Sequence, residues 1–263
     1  MGLRGSYAHE DPWSALQHSH AIQAIFDLIG GEQIFLNMQL FRGANFWYLG
    51  ASAAAEQILV KIAAADRALG VASSLRRLHL SWLLADRDAL DEARALATQL
   101  SEYGRAHHNP LEEGRGRWVL AEVLRRIGDL DGADREIQVA LGMAVPLEQP
   151  GVLATLSALR LAQGRADQAL AVAEGAMSRC SAMGGCGIFR RAFVRLVHAE
   201  SLHATGAHDA ARRAIADART HLLAIADKIA DPDYRRSFLE NVPENARILV
   251  LARAWLDDAA PSA

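Results

Sequence analysis

Several things are scarce or missing in this chain. Lysine occurs only as Lys61 and Lys228, so arginine carries nearly all the positive charge. Cysteine occurs only as Cys180 and Cys186, too few for a disulfide-stapled scaffold. There is no basic excess: the formal net charge is −3, which argues against a nucleic-acid partner. Aromatic residues make up only 6%, while alanine is abundant, a balance that suits close helix packing better than a sheet. No apolar run approaches the roughly 20 residues of a membrane helix. The opening MGLRGSYAHEDPW has no hydrophobic signal core. A cytoplasmic protein with no membrane partner is therefore expected; the superficial myristoylation pattern at Met1-Gly2 carries little weight in a bacterial-looking chain.

Catalytic and metal signatures are missing as well. Gly184-Gly185 lacks the Lys-Ser/Thr that would complete a phosphate-cradling loop. There are no kinase motifs and no nucleophile elbow, so no enzyme and no cofactor are expected. His198 and His203 stand five apart, which does not bring them to one helix face for a metal. The pairs His18/His20 and His107/His108 have no evident ligand partners. A lone C-x5-C is a poor zinc signature; Cys180 and Cys186 are expected to be buried or idle thiols, with a disulfide if the loop between them folds back.

What the chain does have is a repeat. With 51% hydrophobic and 22% charged residues over 263 positions, it reads as ordered protein with a large core or a continuous core stripe. The clearest unit is Trp118–Ala140, WVLAEVLRRIGDLDGADREIQVA: a helix, a Gly128-Asp129 turn and a second helix. Leu120, Ala121 and Leu124 mark one face of the first helix; Leu130, Ala133, Ile137 and Ala140 mark one face of the second. The same pattern recurs at turn positions Gly50, Asp88, Gly128, Gly164 and Gly206, spaced 38, 40, 36 and 42 residues apart. Glycine or aspartate suits a helix exit in the left-handed conformation. Five residues after each turn stands an alanine (Ala55, Ala93, Ala133, Ala169, Ala211) and four further on Leu59, Ala97, Ile137, Ala173 or Ile215. One hairpin cannot bury its own apolar face, so the units must stack.

The G-D-L-D-x-A signature, with Ala121 and Leu124 before it, resembles the tetratricopeptide repeat. Periods longer than the basic 34 or so residues are similar to those in the regulatory arrays of large bacterial regulators, including MalT-like transcription activators and kinases or ATPases with C-terminal helical arrays. LADRDALDEARALA, WVLAEVLRRIGDLDGA, GVLATLSALRLAQGR and DPDYRRSFLENVPENARILVLARAWL look most like the kinase-linked group. The resemblance covers roughly Gln33–Asp257 and implies an all-α, right-handed solenoid of about five hairpins with a C-terminal capping helix.

In chain order, residues 1–11 read as a flexible lead and 12–257 as one solenoid domain. Pro12 to Ile29 reads as a helix with Ala15, Ile22, Ile25, Phe26 and Ile29 in an apolar stripe, stopped by Gly30-Gly31. It has no preceding helix to pair with, so the chain reads as starting halfway through a repeat, as a cap or as a piece of a larger regulator. That unpaired helix is expected to offer an edge for self-association. Paired units follow at about 32–69, 72–103, 111–143, 152–180 and 189–229. In the second, the stretch Asp86–Asp91 is expected to supply both turn and helix cap. A closing segment covers 231–257 and 258–263 read as a tail.

In tetratricopeptide arrays the first helix of each pair lines the concave surface. Threading this sequence onto that arrangement puts Trp47, Tyr48, Trp82, Trp118, Glu122, Arg125, Arg126, Phe193, Glu200 and His203 in the groove. Tryptophans from three successive units would make a peptide-binding surface; alternatively they fill gaps between alanine-rich helices. Arg115, Arg125 and Arg126 would clamp a carboxylate or phosphate, or else pair with Glu112, Glu113 and Glu122 on solvated faces. The resemblance implies a non-catalytic scaffold that binds a protein or peptide, with a MalT-type small-molecule sensor as the alternative.

Overall fold

All five repeat turns close through a residue in the left-handed conformation: φ is 74° at Gly50, 63° at Asp88, 88° at Gly128, 71° at Gly164 and 80° at Gly206. The hydrogen bonds around them repeat too. The amide at the turn residue donates three residues back and the next amide five back, as in Gly128 to Arg125 and Asp129 to Leu124. Each exit thereby satisfies carbonyls that the helix end would leave unpaired.

The structure is a computed structural model that describes the backbone of residues 11–29, 32–68, 74–186 and 190–257, with side chains for all of these but 22–29, 32–34, 65–68, 74 and 257. Residues 1–10 of the expected lead, the Gly30-Gly31 stop, the tail after 257, and Ile22, Ile25, Phe26 and Ile29 lie outside the described side chains or residues, whereas Asp11 is described and accepts from the Ser14 amide and hydroxyl. Among the described residues every regular element is an α-helix. They are α1 (Pro12–Ile29), α2 (Glu32–Tyr48), α3 (Ser52–Ala68), α4 (Ser74–Asp86), α5 (Leu90–Ala106), α6 (Pro110–Ile127), α7 (Leu130–Met143), α8 (Gln149–Ala162), α9 (Ala166–Met183), α10 (Arg191–Ala204), α11 (His208–Ala226), α12 (Pro232–Glu240) and α13 (Pro243–Asp257).

Helices α2 to α11 pair as consecutive hairpins, and each hairpin packs on the next. The repeat alanines Ala55, Ala93, Ala133, Ala169 and Ala211 are all fully buried, as are Leu59, Ala97, Ile137 and Ile215. A small side chain there lets antiparallel helices approach, and Leu59, Ile137 and Ile215 a turn later fill the space that remains in their units. Between units two and three the approach is closer still: a Cβ on Gly116 would come within 2.4 Å of the Ser101 amide nitrogen. Capping varies more than the turns do. Asp129 Oδ1 accepts from the Gly132 amide and Asn109 Oδ1 from the Glu112 amide. The start of α5 has Ala89 at its N-cap and no side-chain cap, so Asp86–Asp91 supplies the turn but not the expected cap.

The N-terminal edge is not open along its whole length. Helix α1 packs on α2, Ala15 and Leu16 are buried, and the Trp13 ring lies 5.8 Å from that of Tyr234 on α12. Phe46 reaches the same tyrosine, ring centroids 5.9 Å apart. The closing segment, expected as one capping helix, is two: Pro232 starts α12, capped by Asp231, and Pro243 starts α13. Tyr234 thus bridges the two ends of the array, and the α2–α3 turn sits directly against α12.

That contact is testable by comparing two turn glycines. A Cβ on Gly50 would lie 2.4 Å from the Ser237 carbonyl oxygen, whereas one on Gly128 meets nothing within 4 Å. Both have positive φ, so each alanine variant carries a backbone penalty of roughly 1–2 kcal/mol. Gly50→Ala should lose about 2 kcal/mol more than Gly128→Ala in urea unfolding, because it also overpacks the junction. Equal losses would mean that α12 does not bear on this turn.

Candidate ligand-binding cleft

Three acids from three helices are buried around one arginine. Asp86 ends α4, Glu122 lies mid-way along α6, and Glu244 stands in the first turn of α13. Arg190 occupies the N-cap of α10 in the left-handed conformation, φ 52°. Its Nη1 lies 3.8 Å from Asp86 and 3.7 Å from Glu122, and its Nη2 3.5 Å from Glu244. The guanidinium is stacked 4.9 Å from the Trp82 ring and 4.3 Å from the Phe193 ring. Glu122 is wholly excluded from solvent and takes two hydrogen bonds from Arg125 and one from Arg126. Arg126 also reaches the Ala85 carbonyl at 2.6 Å and Asp86 at 3.2 Å, while Trp47 Nε1 donates to Asp86 at 2.9 Å.

The electrostatics follow from this packing. Burial by itself pushes the Glu122 carboxyl up, but Arg125, Arg190 and Arg126 outweigh it and hold the group well below the usual carboxylate range. Burial works against the Arg190 charge, and Glu244, Asp86 and Glu122 reverse that, keeping it more firmly protonated than an exposed arginine. Glu244 is the exception. Its carboxyl is raised, first by burial and then by Asp86, against the pull of Arg190.

Beside this cluster a cleft of about 80 Å³ opens. Its wall toward the N-terminus is Trp47, Tyr48 and the Gly50 turn; its floor carries Arg190, Arg191 and Arg195; His221 of α11 and Glu244 of α13 close the far side. Arg191 lies over the Tyr48 ring at 5.6 Å. Four buried polar atoms here have no hydrogen-bond partner: Arg190 Nε and Nη1, Arg195 Nε and Glu244 Oε2.

The groove residues named from sequence divide into two groups. Trp47, Trp82, Trp118, Glu122, Arg125, Arg126 and Phe193 converge on this cluster, and Tyr48 lies on the cleft wall. Trp82 and Trp118 are 0% and 1% exposed, however, so their rings face each other edge-on at 5.2 Å and not a ligand. Trp118 Nε1 donates to Thr155 Oγ1, a partner across the next repeat. Filling gaps between alanine-rich helices is the role their burial supports. His203 lies apart from the cluster, stacked on Trp255 of the capping helix at 4.5 Å, while Glu200 accepts from Arg247 and also acts on Arg125 at the cluster's edge. The Arg125 and Arg126 pairs were expected on solvated faces. They form around a fully buried carboxylate, because α6 packs against α4 and α8 and Arg190 closes over it. Arg115 pairs with Glu148, which is also buried.

Sequence reasoning missed Arg190, Asp86 and Glu244. Arg190 follows a loop with no repeat pattern, so periodicity could not place it. The same loop corrects the cysteine reading: Cys180 and Cys186 form a disulfide, Cα atoms 4.3 Å apart. The reason is Gly184, whose left-handed turn (φ 69°) sends the chain back along the end of α9. Among the described residues no group of three or more His, Cys, Asp or Glu is placed to hold a metal ion, and no helix is long and apolar enough to cross a membrane.

No protein-family model matches the chain, and no curated protein matches it in sequence. Solved structures do share its fold. One is a Rap protein complexed with Competence and Sporulation Factor: TM-score 0.66, 12% identity, 97% of this chain and 73% of that one covered. Another is the apo form of RapI: TM-score 0.57, 12% identity, 98% and 97% covered. At this identity the likeness establishes the helical-repeat fold and nothing finer.

Two stability measurements check the site. Glu122→Gln should cost about 3 kcal/mol or more in urea unfolding, since it removes the acid that compensates buried guanidinium groups; a loss under 1 kcal/mol would mean the cluster is hydrated. His79, packed edge-on against Trp47 and held by the Leu75 carbonyl, is pushed down to about 4, mainly by burial. Its folded value lies below its unfolded one, near 6.5, so its contribution is complete above pH 6.5 and is lost as pH falls toward 4. The difference in stability between wild type and His79→Gln should shrink across that window; a pH-independent difference would rule out a neutral, buried imidazole.

Proposed function

We propose that this chain is a non-catalytic regulatory scaffold of a bacterial signalling system that receives a peptide, or a short segment of a partner protein, on its concave side at the cleft. The observation that carries this reading is the composition of the cleft. Its walls come from the first hairpin, from α10–α11 and from α13, yet it holds buried polar atoms that make no hydrogen bond. Native interiors rarely leave such atoms unsatisfied, and a structural filler would have been apolar. The likeness to a Rap protein solved with a signalling factor supports a peptide as the ligand. The MalT-type sensor gains no support from these similarities. Binding would be complementarity to a preformed surface: Tyr48 and the arginines touch the ligand, while Trp47, Trp82 and Phe193 hold them in position.

The test is selection of random peptides displayed on phage against the immobilised protein, followed by fluorescence anisotropy with the selected sequences. An Arg191→Glu/Arg195→Glu chain should bind them at least about tenfold more weakly, the effect of losing a charge-assisted contact. Arg212→Glu, on an exposed pair with Asp209, should bind as wild type does. Peptides that bind both variants equally would move the ligand site away from the cleft.

A further inference from the structure

We infer that the Cys180–Cys186 disulfide is a redox-active pair, opened by a dithiol reductant, and that its state sets how firmly Arg190 is held in the buried cluster beside the cleft. The coupling to Arg190 stands on its own; its consequence for a ligand rests on the reading of the cleft as the ligand site.

Three observations converge. The first is where the bond sits. Cys180 belongs to the last turn of α9, and Cys186 follows the left-handed turn at Gly184, six residues later. A bond between distant repeats would close a long loop and constrain the unfolded chain more strongly. This one closes a short loop and chiefly fixes the direction in which the chain leaves α9. The second is what comes next. Arg190 stands four residues beyond Cys186. Its backbone is left-handed, φ 52°, a conformation that a long side chain keeps only when its surroundings hold it there. On the side-chain side, Asp86, Glu122 and Glu244 hold it by ion pairing, and the Trp82 and Phe193 rings by stacking. On the chain side, the nearest covalent cross-link is at Cys186. Bonded, Cys186 is fixed to α9; reduced, it is held by packing alone.

The third is that the bond can be reached and its opening reversed. Both cysteines are buried, but the turn that joins them is exposed from Ser181 to Gly184, so a local opening of that turn admits a reagent. They are the only two cysteines in the chain, so opening gives one dithiol state with no other thiol to reshuffle with. A thiolate of the reductant attacks one sulfur and the S–S bond breaks; the other sulfur leaves as a thiolate and takes up a proton. The reductant's second thiolate then attacks the mixed disulfide and releases the first cysteine, which is protonated in turn. Two electrons and two protons pass to Cys180 and Cys186, and the reductant departs as its own disulfide.

The full chain is equilibrated without denaturant in mixtures of reduced and oxidised dithiothreitol, and its thiols are counted by alkylation after acid quenching. Amide hydrogen exchange is read at the start of α10, where the Val194 amide donates to the Arg190 carbonyl, and at the Gly128 turn as an internal control. Two thiols should appear together in one two-electron transition. On reduction, exchange at the start of α10 should rise roughly tenfold or more, the scale of losing a covalent constraint on so short a loop, with no change at the control turn. Cys180→Ser/Cys186→Ser should show the fast rate in every mixture; comparing wild type in its two states decides the matter even if that variant folds poorly. A bond that stays closed in fully reduced dithiothreitol overturns the proposal. So does one that opens with exchange at α10 unchanged, or raised no more than at the control turn. The phage-selected peptides, measured against both states, separate this from the cleft reading. Weaker binding to the reduced chain supports both. Raised exchange at α10 with equal peptide affinity keeps the redox pair and moves the ligand off the cleft.

Discussion

The cost of burying charge governs this molecule. Glu122 sits on α6 in the middle of the array with no solvent contact, and an ionised carboxylate in that position is tolerable only if guanidinium groups surround it. Arg125 and Arg126 come from the same helix, one turn on, so part of that requirement is met locally. Arg190 comes from elsewhere, and so do Asp86 and Glu244. Satisfying all of them at once fixes where α4, α10 and α13 stand relative to α6. The apolar stripe holds the helices together without direction; the buried ions determine their positions around the cleft.

The hairpins themselves depend on a different economy of means. Each needs one residue that enters the left-handed region, one alanine that lets the partner helix come close, and a second buried apolar side chain a turn further on. These demands are steric and local, which is why they were legible. Gly50, Asp88, Gly128, Gly164 and Gly206 could be read as turns, and Ala55 through Ala211 as buried contacts, from spacing alone. Asp88 shows that the position, more than the residue type, is what repeats.

The cleft was only half legible. Trp47, Trp82, Glu122 and Arg126 could be assigned to one side of the array because each lies in the first helix of its pair, at a counted distance from the turn. Periodicity says which face a residue is on; it does not say whether a neighbour covers that face. The tryptophans prove to be covered and the arginines to be shared. Arg190 and Cys186 fall in a stretch where the repeat lapses, and there the chain is positioned by partners that periodicity does not reveal. Glu244 likewise sits in a closing segment that belongs to no hairpin.

One further consequence follows from Tyr234, which touches Trp13 near the beginning of the array and Phe46 in its first full hairpin. In an open solenoid each repeat leans only on its neighbours, so the outermost ones peel away first and independently. Here the last segment rests on the first. Loosening either terminus exposes the flank of the other, which couples two regions that nearest-neighbour stacking would leave unaware of one another. Such a loop of dependence turns a linear stack into a single cooperative body, and gives an event at the junction of its ends a direct route to the whole.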